Sequence, residues 1–99
     1  MAKFSLSFIP RAEQQLLELR DNPSKKAIFK AVYKTLTLMA SDLKHPSLNT
    51  HKYKSIPDSN GEEVFESYAQ NNTPGAYRIF WYYGPGRGII TILAITPHP

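Results

Sequence analysis

The chain is 99 residues long, carries a formal net charge of +4 with an isoelectric point near 9.4, is 41% hydrophobic and contains no cysteine. That length suits a single domain, 1–99, with one modest core and excludes two, and the apolar content excludes a disordered chain. Disulfides, thiolate zinc sites and cysteine nucleophiles are excluded, which fits a reducing cytoplasm; no apolar run approaches the ~20 residues that cross a bilayer, and the N-terminal "MAKFSLSFIP" lacks the apolar run and cleavage site of a signal peptide. The basic balance suits a polyanion or an acidic protein as partner.

"KFSLSF" (3–8) alternates, with Phe4, Leu6 and Phe8 on one face, and predicts a half-buried strand. "IPRAEQQLLELR" (9–20) predicts a helix: Pro10 suits the first turn, and Ala12, Leu16 and Leu19 recur at helical spacing. "DNPS" (21–24) breaks it, and Ser24 is positioned to cap a second helix over 25–43, whose apolar face is Ala27, Ile28, Ala31, Val32, Leu36 and Met39. Lys26, Lys30 and Lys34 form a stripe at four-residue spacing, expected in solvent or against a polyanion.

Residues 44–63 are polar and irregular, long enough to be functional or to hide a short strand. "VFESYA" (64–69), "AYRIFWYY" (76–83) and "IITILAIT" (89–96) predict strands, separated by turns at 70–75 and 84–88. The order β-α-α-β-β-β predicts an α+β fold: two N-terminal helices packed on a small antiparallel sheet, with the first strand beside the apolar last one.

Alternation along the strands sorts the candidate site residues. Arg78, Phe80 and Tyr82 share one face, opposite Tyr77, Ile79, Trp81 and Tyr83. If Tyr68 pairs with Arg78, then Glu66, Tyr68 and Arg78 meet on one surface. An arginine within an aromatic strand suits either a functional cation or a cross-strand ion pair with Glu66. His98, after the last strand, is either a frayed tail or a proton-transfer group. The cluster His51, Lys52, Tyr53, Lys54 suits RNA, through phosphate contact and base stacking. His45, His51 and His98 share no compact ligand spacing, so neither a metal nor another cofactor is expected. "GPGRG" (84–88) lacks the lysine and serine of a phosphate-binding loop, and no nucleophile elbow occurs.

Together, the "HKYKSI" loop, "VFESYA", the "YRIFW" strand and "IITILAITPH" resemble the RelE/ParE toxin superfamily of bacterial type II toxin–antitoxin systems. The resemblance spans nearly the whole chain and is more specific from Leu48 onward. It implies a toxin neutralised by a cognate antitoxin. One branch of the family consists of endoribonucleases that cut mRNA in the ribosomal A site, and another poisons DNA gyrase. Arg78 matches the arginine that stabilises the transition state in the RNases, and His98 matches the terminal histidine of YoeB-like members. Tyr68 and Glu66 stand where RNase members carry basic residues, and Pro99 where YoeB-like members have tyrosine. The resemblance thus implies a metal-independent mRNA interferase, with the gyrase inhibitor or an inactive antitoxin-binding member as alternatives.

Overall fold

A computed structural model of the chain describes residues 3–53, 63–70 and 75–97. Strand β1 (Ser5–Phe8) leads into helix α1 (Pro10–Asp21), and a 3₁₀ turn (Pro23–Lys25) into helix α2 (Lys26–Ser41). A second 3₁₀ turn (Pro46–Leu48) precedes strands β2 (His51–Lys52), β3 (Phe65–Tyr68), β4 (Tyr77–Tyr83) and β5 (Ile89–Pro97). The five strands form one sheet in the order β1-β5-β4-β3-β2.

The α+β architecture and the β3-β4-β5 meander follow the sequence reading, and the long polar segment does hold a short strand, β2. The sheet is mixed rather than wholly antiparallel, because β1 runs parallel to β5, with Ser5 opposite Ile89 and Phe8 opposite Ile92. Both helices lie between β1 and the rest of the sheet in sequence, so no tight turn imposes the antiparallel direction there.

Pro10 occupies the first turn of α1, where its missing N–H costs nothing. Ser24 does not cap α2. Lys25 holds that position without a side-chain bond, while Asn22 Oδ1 accepts from the Ser24 backbone N–H at 3.0 Å and so caps the intervening 3₁₀ turn. The turn makes α2 start one residue late; its buried face keeps Val32, Leu36 and Met39 as expected, while Ala27 is exposed and Thr35 is buried, its hydroxyl donating to the Ala31 carbonyl at 2.8 Å.

Ala12 and Leu19 of α1, Val32, Leu36 and Met39 of α2, and Tyr77, Ile79 and Trp81 of β4 pack with Ile90, Ile92 and Ile95 of β5 in one core, flanked by Phe4, Leu6, Phe8 and Leu16. Ile92 and Ile95 are three residues apart and would face opposite ways in a regular strand. The pairing slips between Phe80↔Ala94 and Trp81↔Ile92, leaving Leu93 as an extra residue that turns both isoleucines inward. Full burial of a Val, Leu, Ile or Met side chain such as these contributes about 1.5–3 kcal/mol.

Candidate active site

The side of the sheet opposite the helical core carries the polar constellation. In the β3–β4 register Tyr68 stands opposite Arg78, as the sequence implies, and Glu66 opposite Phe80. Arg78 Nη1 donates to Glu66 Oε2 at 2.9 Å, and the guanidinium carbon lies 4.0 Å from the centre of the Tyr68 ring. The guanidinium is thus held by a carboxylate and by the negative face of an aromatic ring. On β5, Thr96 stands opposite Arg78.

Strand β2 adds a residue. His51 pairs directly with Glu66 across the β2–β3 ladder. Its Nε2 lies 2.6 Å from Glu66 Oε1, and its Nδ1 lies 3.0 Å from the Asn49 carbonyl. Asn49 adopts a left-handed backbone conformation (φ 47°), which asparagine tolerates better than most residues, and this turn sets the carbonyl against the ring. The His51 ring meets Tyr68 edge-on, centroids 5.8 Å apart. Phe80, buried on the same face, packs against Tyr53 with centroids 4.8 Å apart.

The Glu66 side chain is 2% exposed and divides its two oxygens between Arg78 and His51, whose side chain is 47% exposed. A carboxylate this deeply buried requires such partners, since desolvation of an unpaired charge costs several kcal/mol. Both His51 nitrogens thus face oxygens, one of the Glu66 carboxylate and one of the Asn49 backbone, so the half-exposed imidazole is oriented from two sides at the rim while the Arg78 guanidinium is held inside.

Sequence reasoning grouped Glu66, Tyr68 and Arg78 correctly as neighbours and left His51 in a basic loop. Nothing in "NTHKYK" alternates in hydrophobicity, so β2 leaves no periodic signal. Lys52 points to Glu63, with Nζ–Oε2 2.8 Å and both side chains exposed, while Lys54, His98 and Pro99 lie outside the described residues, as do residues 71–74 of the expected turn. His45 Nδ1 accepts from the Ser47 backbone N–H at 3.1 Å and caps the second 3₁₀ turn. Lys26, Lys30 and Lys34 are all exposed. Among the described residues, no group of three or more His, Asp or Glu side chains is placed to hold a metal ion, and no helix is long and apolar enough to cross a membrane. At the end of α1, away from the constellation, the hydrogen bond from exposed Arg20 holds the Asp21 carboxyl below the usual carboxylate range.

The whole architecture has close counterparts among solved structures. The YoeB dimer from Staphylococcus aureus superposes with a TM-score of 0.65 at 16% identity, covering 99% of this chain and 100% of that one. The fold is that of the RelE/YoeB-like toxins. The archaeal RelE–RelB complex from Pyrococcus horikoshii OT3 contains a chain matching at 0.63 and 14% identity, with 98% and 96% of the two chains covered. The intact toxin–antitoxin RelBE complex of E. coli contains one matching at 0.58 and 16% identity, with 99% of each covered. No protein-family model matches the sequence, and no curated protein matches it. The RelE/YoeB-like likeness thus rests on backbone architecture, and the Glu66-centred constellation is described from this chain's own side chains.

Proposed function

We propose that residues 1–99 form one toxin domain of a type II toxin–antitoxin pair, acting in the cytoplasm as a metal-independent endoribonuclease that cuts mRNA in the ribosomal A site. The observation that carries this reading is the Arg78 guanidinium, seated between Glu66 and Tyr68 on the sheet face away from the helices of a RelE/YoeB-like fold. RNA cleavage without a metal needs a cation at the phosphorus centre, where negative charge builds up in the transition state, and groups that take and supply protons. Arg78 supplies that cation when the scissile phosphate displaces Glu66 from Nη1. Glu66 holds the guanidinium ready and keeps His51 on its other oxygen, and Tyr68 braces the guanidinium plane. His98 is assigned as a proton-transfer group and Lys52 and Lys54 as phosphate contacts, both from the family resemblance.

The cognate antitoxin is the expected protein partner, in line with two of the solved neighbours named above being a RelE–RelB complex and a RelBE toxin–antitoxin complex. A chain of net charge +4 suits an acidic antitoxin segment. The test is primer extension on mRNA held by programmed ribosomes, using the free protein, Arg78→Ala and His98→Ala. A-site cuts that vanish in both variants support the reading. Cuts that persist in Arg78→Ala remove the arginine from the chemistry. A second reading, inhibition of DNA gyrase, draws on the neutralisation of Arg78 by a buried carboxylate. It predicts no cleavage from folded protein and a DNA-damage response, rather than translation arrest, on expression.

A further inference from the structure

We propose that His51, positioned by Glu66, is the general acid that protonates the leaving 5′-oxygen in RNA cleavage. This rests on the ribonuclease reading above. Three observations converge on this residue. First, one imidazole nitrogen is anchored on a carboxylate, with Nε2 2.6 Å from Glu66 Oε1, and this fixes the ring's orientation. Second, the other nitrogen lies toward the accessible side and already meets an oxygen, the Asn49 carbonyl at 3.0 Å. An acceptor oxygen at hydrogen-bond distance is the geometry a general acid presents to its leaving group. Third, the ring touches Tyr68, whose face carries the Arg78 guanidinium, so the proton donor and the transition-state cation share one scaffold.

The step balances. The 2′-oxygen attacks phosphorus and gives its proton to the base, the proton-transfer role that the reading above assigns to His98. The new O2′–P bond forms as the P–O5′ bond breaks, with the phosphorane charge facing Arg78. His51 Nδ1 leaves the Asn49 carbonyl and gives its proton to the departing 5′-oxygen. The products are a 2′,3′-cyclic phosphate and a 5′-hydroxyl, with neutral His51 still held by Nε2–H on Glu66; solvent then restores the proton. The groups facing the ring are the Glu66 carboxylate, the Asn49 carbonyl and the Tyr68 ring, while Lys52, next in sequence, is engaged with Glu63. Glu66 is a positioning residue here, because it acts through the imidazole and through Arg78.

The experiment measures single-turnover cleavage of ribosome-bound mRNA against pH for the wild-type chain, His51→Ala, His51→Gln and Glu66→Gln. Side-chain NMR of the histidine ring nitrogens, run in parallel on the wild type and Glu66→Gln, reads the contact between His51 Nε2 and Glu66. An acid catalyst loses activity as rising pH deprotonates it, so the wild-type profile should fall on its alkaline side. His51→Ala and His51→Gln should each lower the rate by about 10²–10⁴-fold and abolish that fall. Glu66→Gln should slow cleavage and shift the His51 Nε2 resonance, because the carboxylate that holds that nitrogen is gone. His51 is half-exposed, so its replacements should fold, which circular dichroism checks. A wild type that cuts while both His51 variants cut at its rate and with its profile would overturn this inference and leave the ribonuclease reading standing. A folded, antitoxin-free wild type that makes no cut overturns both. A His51 Nε2 resonance unmoved by Glu66→Gln overturns the role given to Glu66, whatever the rates.

Discussion

The two faces of the β3–β4 ribbon, built from alternate residues of the same strands, follow opposite physical rules. On the helix side, Trp81 and Ile79 are fully buried among aliphatic side chains; the Trp81 ring stacks on Phe65 with centroids 4.9 Å apart, and its N–H donates to Ser67 Oγ at 2.9 Å. On the other side, Glu66 and Arg78 are nearly as buried, yet they spend that burial on an ion pair and a histidine contact. Apolar burial stabilises whichever residues fill the space, whereas a buried ion pair often only offsets its own desolvation. A charged pair held at that cost, beside a half-exposed imidazole and on the face away from the helices, is not accounted for by stability alone.

The largest expected effect lies on the helix side. Trp81→Ala should destabilise the fold by about 3–5 kcal/mol, measured by denaturant unfolding, because it opens a large cavity in the core. On the other side, Glu66→Ala should cost about 3 kcal/mol, since it leaves the Arg78 charge buried without its carboxylate. Replacing the whole pair, in Glu66→Leu with Arg78→Met, should recover most of that loss, with a melting temperature at or above wild type and no ribosome-dependent cleavage. If the double variant proves less stable than Glu66→Ala, the contrast between the faces fails, and the ion pair becomes a structural element.

Smaller effects sharpen the same contrast. Ser67→Ala should cost about 1–3 kcal/mol, because Ser67 Oγ accepts from Trp81 and shares a 2.7 Å bond with Thr50 Oγ1, leaving the buried indole N–H without an acceptor. At the rim, Lys52→Ala should shift stability by less than about 1 kcal/mol, the usual worth of an exposed pair such as that with Glu63. Melting curves at low and high salt test this: a large, salt-insensitive loss would mean that the pair contributes more than an exposed bridge can.

Much of this arrangement could be read from the residues, and the limits of the reading have identifiable causes. The pairing of Tyr68 with Arg78 followed from two alternating strands joined by a short connection, which leaves few registers open. The α2 start was misplaced by the 3₁₀ turn, because a proline and serine after Asn22 suit a short turn and a helix start alike. The RNA-binding assignment of His51 treated it as a loop residue, when its partner is a glutamate fifteen positions later. A two-residue strand of polar side chains has no hydrophobic period to announce it.

The sequence alone determined what depends on local periodicity: the α+β order, the core faces of β3 and β4, and the meeting of Glu66, Tyr68 and Arg78. Each follows from side chains alternating across a strand or recurring along a helix, within a span the chain closes by short turns. Tertiary structure alone decided the parallel seat of β1 on β5, the extra residue at Leu93 that turns Ile92 and Ile95 to the same core, and the capture of His51 by Glu66. Those features are contacts between distant segments, selected by which pairing buries the most apolar surface while leaving no buried charge alone.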